Sequence, residues 1–239
     1  MRKIAVFSAI FAVLSVLQLS PCYSQLTKLV VSLTGSVFNE ITHQPISVRM
    51  EAFDANGKRV YRGISNAEQN GYYYITGLKP GEKYFIRFGD LDYFKQDFEV
   101  NIPPTDKYAE FSRDFLIKPK ARGLRIPQKV PTFESGKTKL RAGSDFFLKD
   151  ILETMQKNPR IHFQILCFPD NNANSNENKV ITEGRCNSLK EYFVKNGIDA
   201  DRITIYGSDT TDPTQPPPTG LRPKGKWYIG PTYYVVESF

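Results

Sequence analysis

Few residues of this sequence have the types and spacing that catalysis needs. The two histidines, His43 and His162, lie far apart in the chain, which argues against a zinc site and against a Ser-His-Asp triad. The motifs HExxH, GxSxG, CxxC and the P-loop are absent. We therefore expect a protein that is not an enzyme and that needs no metal ion or cofactor.

Two residues of opposite charge, Asp170 and Arg185, fit either a ligand site or a structural ion pair. An ionised aspartate accepts hydrogen bonds from a cation, and the fork of an arginine donates two parallel hydrogen bonds to a carboxylate. Their spacing alone does not distinguish a ligand site from a structural ion pair. The distinction depends on the helices and strands that carry the two residues.

Charged residues of both signs are interspersed along the chain, whose formal net charge is +7. A dedicated nucleic-acid surface would need the basic residues to cluster. We expect no nucleic-acid partner.

The first 24 residues have the features of a secretory signal peptide. Arg2 and Lys3 give a basic start, an apolar run covers residues 4–19, and Cys22-Tyr23-Ser24 offers small residues for cleavage. We expect residues 1–24 to be removed; the alternative is an uncleaved anchor. No other apolar stretch approaches the roughly 18 residues that span a bilayer, so the mature chain should have no transmembrane span.

Residues 27–118 have the pattern of short strands joined by tight turns. Residues 47–53 alternate between apolar and polar side chains, Asn56-Gly57 is a hairpin turn signal, and Lys79-Pro80-Gly81 marks another turn. About seven such strands, without a helical period, predict an all-β antiparallel sandwich over residues 25–118.

The turn series of this segment resembles the carboxypeptidase-regulatory-like family. The matching residues are Thr34-Gly35-Ser36-Val37, Thr42-His43-Gln44-Pro45-Ile46, Asn70-Gly71-Tyr72-Tyr73 and Gly77-Leu78-Lys79-Pro80-Gly81, followed by Tyr84. The resemblance implies a β-sandwich module that serves as a spacer or contacts a protein partner. It implies no peptidase activity, since no zinc peptidase domain is present.

From residue 132 the hydrophobic period becomes helical. Ser144 is a candidate N-cap, apolar residues recur at helical spacing over residues 147–155, and Asn158-Pro159 ends that helix. A second helix is expected over about 179–195, with strands at 161–166, 202–206 and 232–237. This order predicts an α+β domain over residues 132–239. The proline-containing residues 119–131 are expected to be a linker.

Several motifs follow one another in a specific order in this second segment. Residues 133–140 match an F-x-x-G-x-x-x-L pattern, Asn158-Pro159 ends a helix, residues 178–186 match N-x-x-L-S-x-x-R-A, and residues 197–203 match G-I-x-x-x-R-I. In this order and spacing the segment resembles the OmpA-like peptidoglycan-binding family. The resemblance implies a domain that binds peptidoglycan without covalent chemistry.

The resemblance also implies roles for three residues. In the family, an aspartate and an arginine hold the free end of meso-diaminopimelate in the peptidoglycan stem peptide, where an ammonium lies beside a carboxylate. By this resemblance Asp170 accepts hydrogen bonds from the ammonium and Arg185 holds the carboxylate bidentately. Asn178 is expected to shape the pocket or to add a hydrogen bond. A structural Asp170–Arg185 ion pair without a ligand remains the alternative.

The sequence departs from the family pattern at the rim of this site. Pro169 replaces a threonine, which removes a hydroxyl and a backbone donor, and Ala173 replaces a glycine. The usual L-S is Ile181-Thr182, and the N-R-R that often opens the last strand is absent near residues 231–233. These changes leave open whether the site still binds its ligand.

Cys167 and Cys186 flank the two charged residues. If Asp170 and Arg185 converge, the two cysteines converge as well, and we expect a disulfide between them to brace the pocket floor. The alternative is two buried free thiols that act as small apolar residues.

The two resemblances together imply a two-domain protein of a Gram-negative envelope, located in the periplasm at the peptidoglycan; any link to the outer membrane would come through a partner. It would anchor an envelope protein or complex to the cell wall, with the β-sandwich facing the protein partner. The alternative is a degenerate OmpA-like scaffold that acts only as a protein–protein interaction module, for example in type IX secretion. An enzyme acting on peptidoglycan is a third hypothesis, and the sequence offers it no nucleophile–base pair.

Overall fold

The computed structural model describes residues 29–219 and 227–239, so the predicted signal peptide at 1–24 and the end of the proline-rich segment 213–223 lie outside the described residues. The strands are β1 (Val31–Asn39), β2 (Arg49–Asp54), β3 (Arg59–Ile64), β4 (Tyr72–Leu78), β5 (Lys83–Phe88), β6 (Gln96–Asn101), β7 (Glu110–Ser112), β8 (Phe115–Ile117), β9 (Arg125–Pro127), β10 (His162–Cys167), β11 (Ile203–Gly207) and β12 (Thr232–Ser238). The helices are α1 (Ser144–Lys157) and α2 (Ser175–Lys195). Within residues 29–219 and 227–239, no helix combines the length and the apolar character needed to cross a bilayer.

Two sheets of the first domain pack face to face. One has the strand order β3-β2-β5-β6, and the other has the order β4-β1-β7 with β8 also paired to β1. Alternate side chains of both sheets fill a shared apolar core, with Leu33, Met50, Phe88 and Phe115 among its fully or almost fully buried members. This two-layer packing confirms the predicted β-sandwich.

The second sheet of the sandwich is mixed rather than wholly antiparallel. Strand β1 pairs antiparallel with β4 but parallel with both β7 and β8. The hydrophobic alternation of a strand determines which face is buried and is the same for either strand direction. The sequence pattern therefore predicted the sandwich correctly and missed the two parallel pairings.

The second domain has one sheet with the order β11-β10-β12-β9, and both helices contribute to its core. Strand β10 is parallel to β11 and antiparallel to β12. Helix α2 begins at Ser175, four residues before the predicted start, because the side chain of Asn174 accepts hydrogen bonds from the N–H groups of Asn176 and Glu177. This α+β arrangement confirms the predicted fold class of the second domain.

Part of the predicted linker at 119–131 is a strand. Residues Arg125–Pro127 form β9, which pairs with β12 at the edge of the second sheet, and the next residue, Gln128, donates its N–H to the carbonyl of Thr232. The linker prediction is therefore wrong over these residues. A three-residue edge strand that ends in proline carries too little alternation to be distinguished from a loop.

The two domains share a packed junction. Phe94 follows the sandwich strand β5 yet is fully buried in the core of the second domain, where its ring stacks on Phe163 with 6.3 Å between centroids. Next to it, the Asn158 side chain accepts from the N–H of Lys95 at 2.9 Å and donates to the Lys95 carbonyl at 3.3 Å. Apolar burial and this reciprocal pair of hydrogen bonds together fix the first domain on the second.

We expect Phe94→Ala to lower the free energy of unfolding by about 3–5 kcal/mol, because truncation leaves a cavity in a close-packed core. Leu91→Ala is the matched control, since Leu91 lies in the same loop with 76% of its side chain exposed. Urea unfolding of both variants measures the difference. Equal stability of the two variants would contradict the junction described above.

Candidate functional site

Asp170 and Arg185 meet where β10 leads into α2. Asp170 lies just beyond the carboxyl end of β10, and Arg185 lies in the middle of α2, on the face that packs toward the sheet. The arginine Nη1 donates to Asp170 Oδ1 at 2.7 Å, and its Nη2 donates to Asp170 Oδ2 at 2.9 Å. The predicted convergence of these two residues is thus present in the structure, as a bidentate ion pair.

Three further donors bind the Asp170 carboxylate. The N–H of Gly136 and the hydroxyl of Ser135 donate to Oδ2 at 2.9 and 3.2 Å, and the N–H of Gly230 donates to Oδ1 at 2.9 Å. Gly136 has a positive φ of 67°, and a Cβ on Gly230 would clash with the carbonyl oxygen of Phe168. Both positions therefore favour glycine, because any other residue would strain the backbone that presents the donor.

Backbone carbonyls hold the guanidinium of Arg185 from the other side. Its Nε donates to the carbonyl of Lys137 at 2.9 Å, and its Nη2 donates to the carbonyl of Glu134 at 3.2 Å. The guanidinium carbon also lies 5.4 Å from the centroid of the Phe133 ring. The side chain of Arg185 is only 1% exposed and that of Asp170 is 10% exposed, so segment 133–137 covers the pair.

The surroundings of Asp170 keep its carboxylate ionised. Burial by itself would raise the pKa of Asp170. The hydrogen bonds from Arg185 and from the N–H groups of Gly230 and Gly136, together with the positive charge of Arg185, outweigh burial and hold the pKa below its usual value. Asp170 is therefore ionised at neutral pH, and its negative charge is paired with the positive charge of Arg185.

The structure places Asn178 next to this site but not in contact with the ion pair. Its Nδ2 donates to the carbonyls of Asn171 at 2.7 Å and of Asp209 at 3.1 Å, and the residue is buried in the first turn of α2. Asn178 thereby ties the loop after β10 to the loop after β11. This arrangement fits the expectation that Asn178 shapes the pocket.

The predicted disulfide is absent, because Cys167 and Cys186 are both buried free thiols. The two thiols are neighbours, and hydrogen bonding with Cys167, together with burial, raises the pKa of the Cys186 thiol. Other polar groups lie near each sulfur atom. The thiol of Cys186 donates to the carbonyls of Ile165 and Tyr206, both at 3.4 Å, and the sulfur of Cys167 lies 3.7 Å from the Thr232 hydroxyl. The two cysteines act as small core residues below the ion pair.

A cavity of about 570 Å³ lies beside the ion pair and was not predicted. Segment 133–135 forms one side, and Arg141, Trp227 and Ile229 form the other. Trp227 is 75% exposed, and the Nε of Arg141 has no hydrogen-bond partner among the described residues. Ser135 and Gly136 stand inside the recognised F-x-x-G motif, but no sequence signal connects Gly230 or Trp227 with Asp170, because they are distant in the chain.

The site has the groups to bind a charged ligand. Within the described part of the chain, no group of three or more His, Cys, Asp or Glu side chains could hold a metal ion. The groups available for binding are one carboxylate, one guanidinium and several backbone hydrogen-bond donors and acceptors around them.

Comparison with known proteins supports a binding role for this half of the chain. Residues 132–222 match the OmpA family, so this segment is an OmpA domain, a binding domain that generally binds peptidoglycan. The two-domain organisation predicted from the sequence agrees with this match.

Other similarities are partial. A MotB-like protein from Desulfovibrio vulgaris is 22% identical, with a TM-score of 0.35, over 47% of this chain and 73% of that chain. The Bacillus anthracis TIE protein is 13% identical, with a TM-score of 0.32, over 41% of this chain and 21% of that chain. Photosystem I P700 chlorophyll a apoprotein A2 from Gloeobacter violaceus is 28% identical over 105 residues, which are 43% of this chain and 12% of that protein. None of the three carries an argument about function.

We expect Asp170→Asn to lower the free energy of unfolding by about 3–5 kcal/mol at pH 7, because it leaves the buried Arg185 without its counter-charge. The depressed pKa of Asp170 means that its carboxylate adds stability above the unfolded pKa of about 3.9, and that this contribution is lost as the pH falls through the lower folded value. The difference from the wild type should therefore shrink below about pH 4.

Urea unfolding between neutral and acidic pH measures this difference. The exposed residue Asp201 provides the control, since Asp201→Asn removes the same charge without stranding a buried partner. If the difference in unfolding free energy between the wild type and Asp170→Asn were the same at every pH, the stabilisation by Asp170 would not come from its charge.

Both described cysteines should react as free thiols. Labelling under native conditions should be slow because the two side chains are buried, and labelling of the unfolded protein without a reductant should modify both. Peptide mass analysis assigns the labels to Cys167 and Cys186, with a reduced sample as the reference. Labels that appear only after reduction would show that the pair is oxidised.

Proposed function

We propose that this protein binds peptidoglycan non-covalently through the diaminopimelate of the stem peptide, with Asp170 and Arg185 as the binding groups. It would thereby anchor an envelope protein or complex to the cell wall. The observation that carries the proposal is the bidentate Asp170–Arg185 pair in an OmpA domain.

The free end of diaminopimelate carries an ammonium and a carboxylate side by side. Without ligand, Asp170 and Arg185 neutralise each other. A ligand with both charges can offer its ammonium to Asp170 and its carboxylate to Arg185, so one internal ion pair is exchanged for two intermolecular ones. A ligand with a single charge would leave one buried protein charge unpaired, which costs several kcal/mol. The exchange therefore selects a zwitterionic end group.

This exchange of ion pairs should give only a modest net gain in binding free energy. Two carbonyls of segment 134–137 already occupy part of the Arg185 fork, and the segment has to yield for a ligand to enter. Charge-assisted hydrogen bonds contribute about 1.5–3 kcal/mol each, and association costs reduce the sum. Binding at a single site should be roughly micromolar to millimolar. That affinity is enough for a tether, because the cell wall is a dense repeating polymer.

The neighbouring cavity gives the ligand room. Ser135 contacts Asp170 and also lines the cavity of about 570 Å³ that contains Trp227 and Arg141. A stem peptide whose end reaches the ion pair would place its adjacent residues there. In this arrangement Asn178 is a positioning residue that holds the two loops around the site.

The proposal also gives each domain a role. The OmpA domain, over residues 132–239, would hold the wall from the periplasmic side, and the sandwich, over residues 25–118, would contact an envelope protein partner. The support for this location is the OmpA domain, whose family is associated with peptidoglycan. A link to the outer membrane would come through the partner.

A second candidate function is a scaffold that no longer binds a ligand. One observation favours it: the hydrogen bonds of the ion pair are largely satisfied within the protein, and Arg185 is only 1% exposed. Pro169 agrees with this alternative, since it lacks the backbone donor that another residue would offer beside Asp170. In such a scaffold the ion pair would serve stability alone, and the protein would act through protein contacts.

A sedimentation assay with purified diaminopimelate-containing peptidoglycan tests the proposal. Asp170→Asn and Arg185→Lys keep the size of each side chain but remove the charge or the bidentate fork. Arg202→Lys is the matched control, because Arg202 is another buried arginine that donates to backbone carbonyls and contacts neither site residue. Circular dichroism establishes that each variant is folded.

We expect the wild type and Arg202→Lys to sediment with the wall and free diaminopimelate to release them. Asp170→Asn and Arg185→Lys should bind at least tenfold more weakly, in line with the loss of a charge-assisted hydrogen bond. A folded wild type that does not sediment would support the scaffold. If both folded site variants bound peptidoglycan as well as the wild type, the contact with the wall would have to lie elsewhere than at this ion pair.

A further inference from the structure

A second cavity lies at the junction of the two domains and plays no part in the proposed wall binding. Its volume is about 650 Å³, and residues of β2, β3 and β5 form one wall while residues 157–161 of the second domain form the other. Seven cationic side chains and three carboxylate side chains line this junction cleft, together with Phe239, the last residue of the sequence. Cavities at domain interfaces are frequent ligand sites, so the charge balance of the cleft is informative.

Several of these charges are neutralised inside the protein. Arg87 forms two hydrogen bonds with Asp97, at 2.8 and 3.2 Å, and Lys157 reaches the same carboxylate at 3.4 Å across the domain junction. Glu51 accepts from Arg59 at 2.9 Å and lies 4.0 Å from Arg62. These ion pairs account for most of the carboxylate charge around the sandwich wall of the cleft.

Three other cations have no such partner. Among the residues that the structure describes, the side chains of Arg49, Lys95 and Arg160 form no hydrogen bond or ion pair, although all three line the cleft. A fourth cation, Lys120, donates only to the backbone carbonyl of Asp90, at 2.6 Å. The cleft therefore concentrates positive charge that the protein itself leaves uncompensated.

The environment of Lys120 contains charges of both signs. Burial lowers the pKa of Lys120, and the positive charge of Arg160 lowers it further, while the carboxylates of Asp90 and Asp92 oppose the shift. Asp90 is itself engaged as an acceptor for the N–H groups of Asp92 and Tyr93. Neither carboxylate forms an ion pair with an arginine of the cleft.

The walls of the cleft are held in place without a ligand. Phe94 is buried in the second domain, and the reciprocal hydrogen bonds between Asn158 and Lys95 lie at the cleft itself. A cationic site on a fixed frame loses little entropy when an anion binds.

We propose that the junction cleft is a binding site for a phosphate-bearing anion, held by Arg49 of the first domain and Arg160 of the second. A phosphate group concentrates about two negative charges on a few atoms, which suits several unpaired cations better than the single charge of a carboxylate. Arginine forks match the geometry of phosphate oxygens. The cavity volume fits a small molecule or a headgroup.

This site is separate from the Asp170–Arg185 pair. Arg160 and Ile161 precede β10, whereas Asp170 follows the carboxyl end of that strand. The six residues of β10 separate the two places by about 20 Å at 3.3 Å per residue. Binding in the cleft can therefore be tested without disturbing the wall site.

Isothermal titration of the protein with inorganic pyrophosphate is the direct test. The double variant Arg49→Gln/Arg160→Gln removes two partnerless side chains, so folding should be unaffected, which a thermal melt establishes. Lys58→Gln/Lys107→Gln is the matched control, because it removes the same charge at two exposed positions that do not line the cleft.

We expect saturable pyrophosphate binding by the wild type and by the lysine control. The arginine double variant should bind at least tenfold more weakly, and binding should weaken as salt increases. Lipid vesicles with and without phosphatidic acid then distinguish the source: binding to the acidic vesicles that depends on the two arginines assigns a headgroup, and its absence assigns a soluble phosphate compound. No saturable binding by the wild type, or an equal loss in the lysine control, would overturn the proposal.

Discussion

The buried ion pair between Asp170 and Arg185 is the interaction on which the second domain depends. It joins four parts of the chain that are distant in sequence: the end of β10, the middle of α2, segment 133–137 and Gly230. Removing two charges from water is expensive, and the pair is tolerated because neighbouring backbone groups satisfy the remaining hydrogen-bonding capacity of both side chains. Because the hydrogen bonds of both side chains are satisfied within the protein, a ligand has to replace every hydrogen bond that it breaks. The pair should therefore select ligands that offer both charges.

Strand β10 connects two clusters of charged side chains. At its carboxyl end, Asp170 and Arg185 are paired and covered, which under the proposed function favours a ligand that carries both charges. At its amino end, cationic side chains outnumber carboxylate side chains in the junction cleft, and Arg49, Lys95 and Arg160 form no ion pair among the described residues. The packing of Phe94 and Asn158 holds the first domain's wall of that cleft against the second domain. A protein built in this way could hold the wall and a phosphate-bearing group in one fixed arrangement.

The fold class and the convergence of Asp170 and Arg185 could be predicted from the sequence, because motif order and hydrophobic period can be read directly from the residues. Three features were beyond its reach. The parallel pairing of β7 and β8 with β1 depends on strand direction, which alternation does not encode. The burial of Phe94 in the other domain is a contact between segments distant in the chain. The convergence of Cys167 and Cys186 could be expected from their places beside the ion pair, but whether they form a disulfide could not, and the structure has both as free thiols.

The proposed function requires that the ion pair recognise an ammonium and a carboxylate together. The most direct measurement is a calorimetric comparison of two stem peptides that differ only in the third residue, meso-diaminopimelate in one and lysine in the other. The lysine peptide has the ammonium but lacks the adjacent carboxylate. If its ammonium bound Asp170 in place of Arg185, the arginine would be left without a partner. We expect at least tenfold tighter binding of the diaminopimelate peptide, the equivalent of about 1.4 kcal/mol. Equal affinities for the two peptides would contradict it.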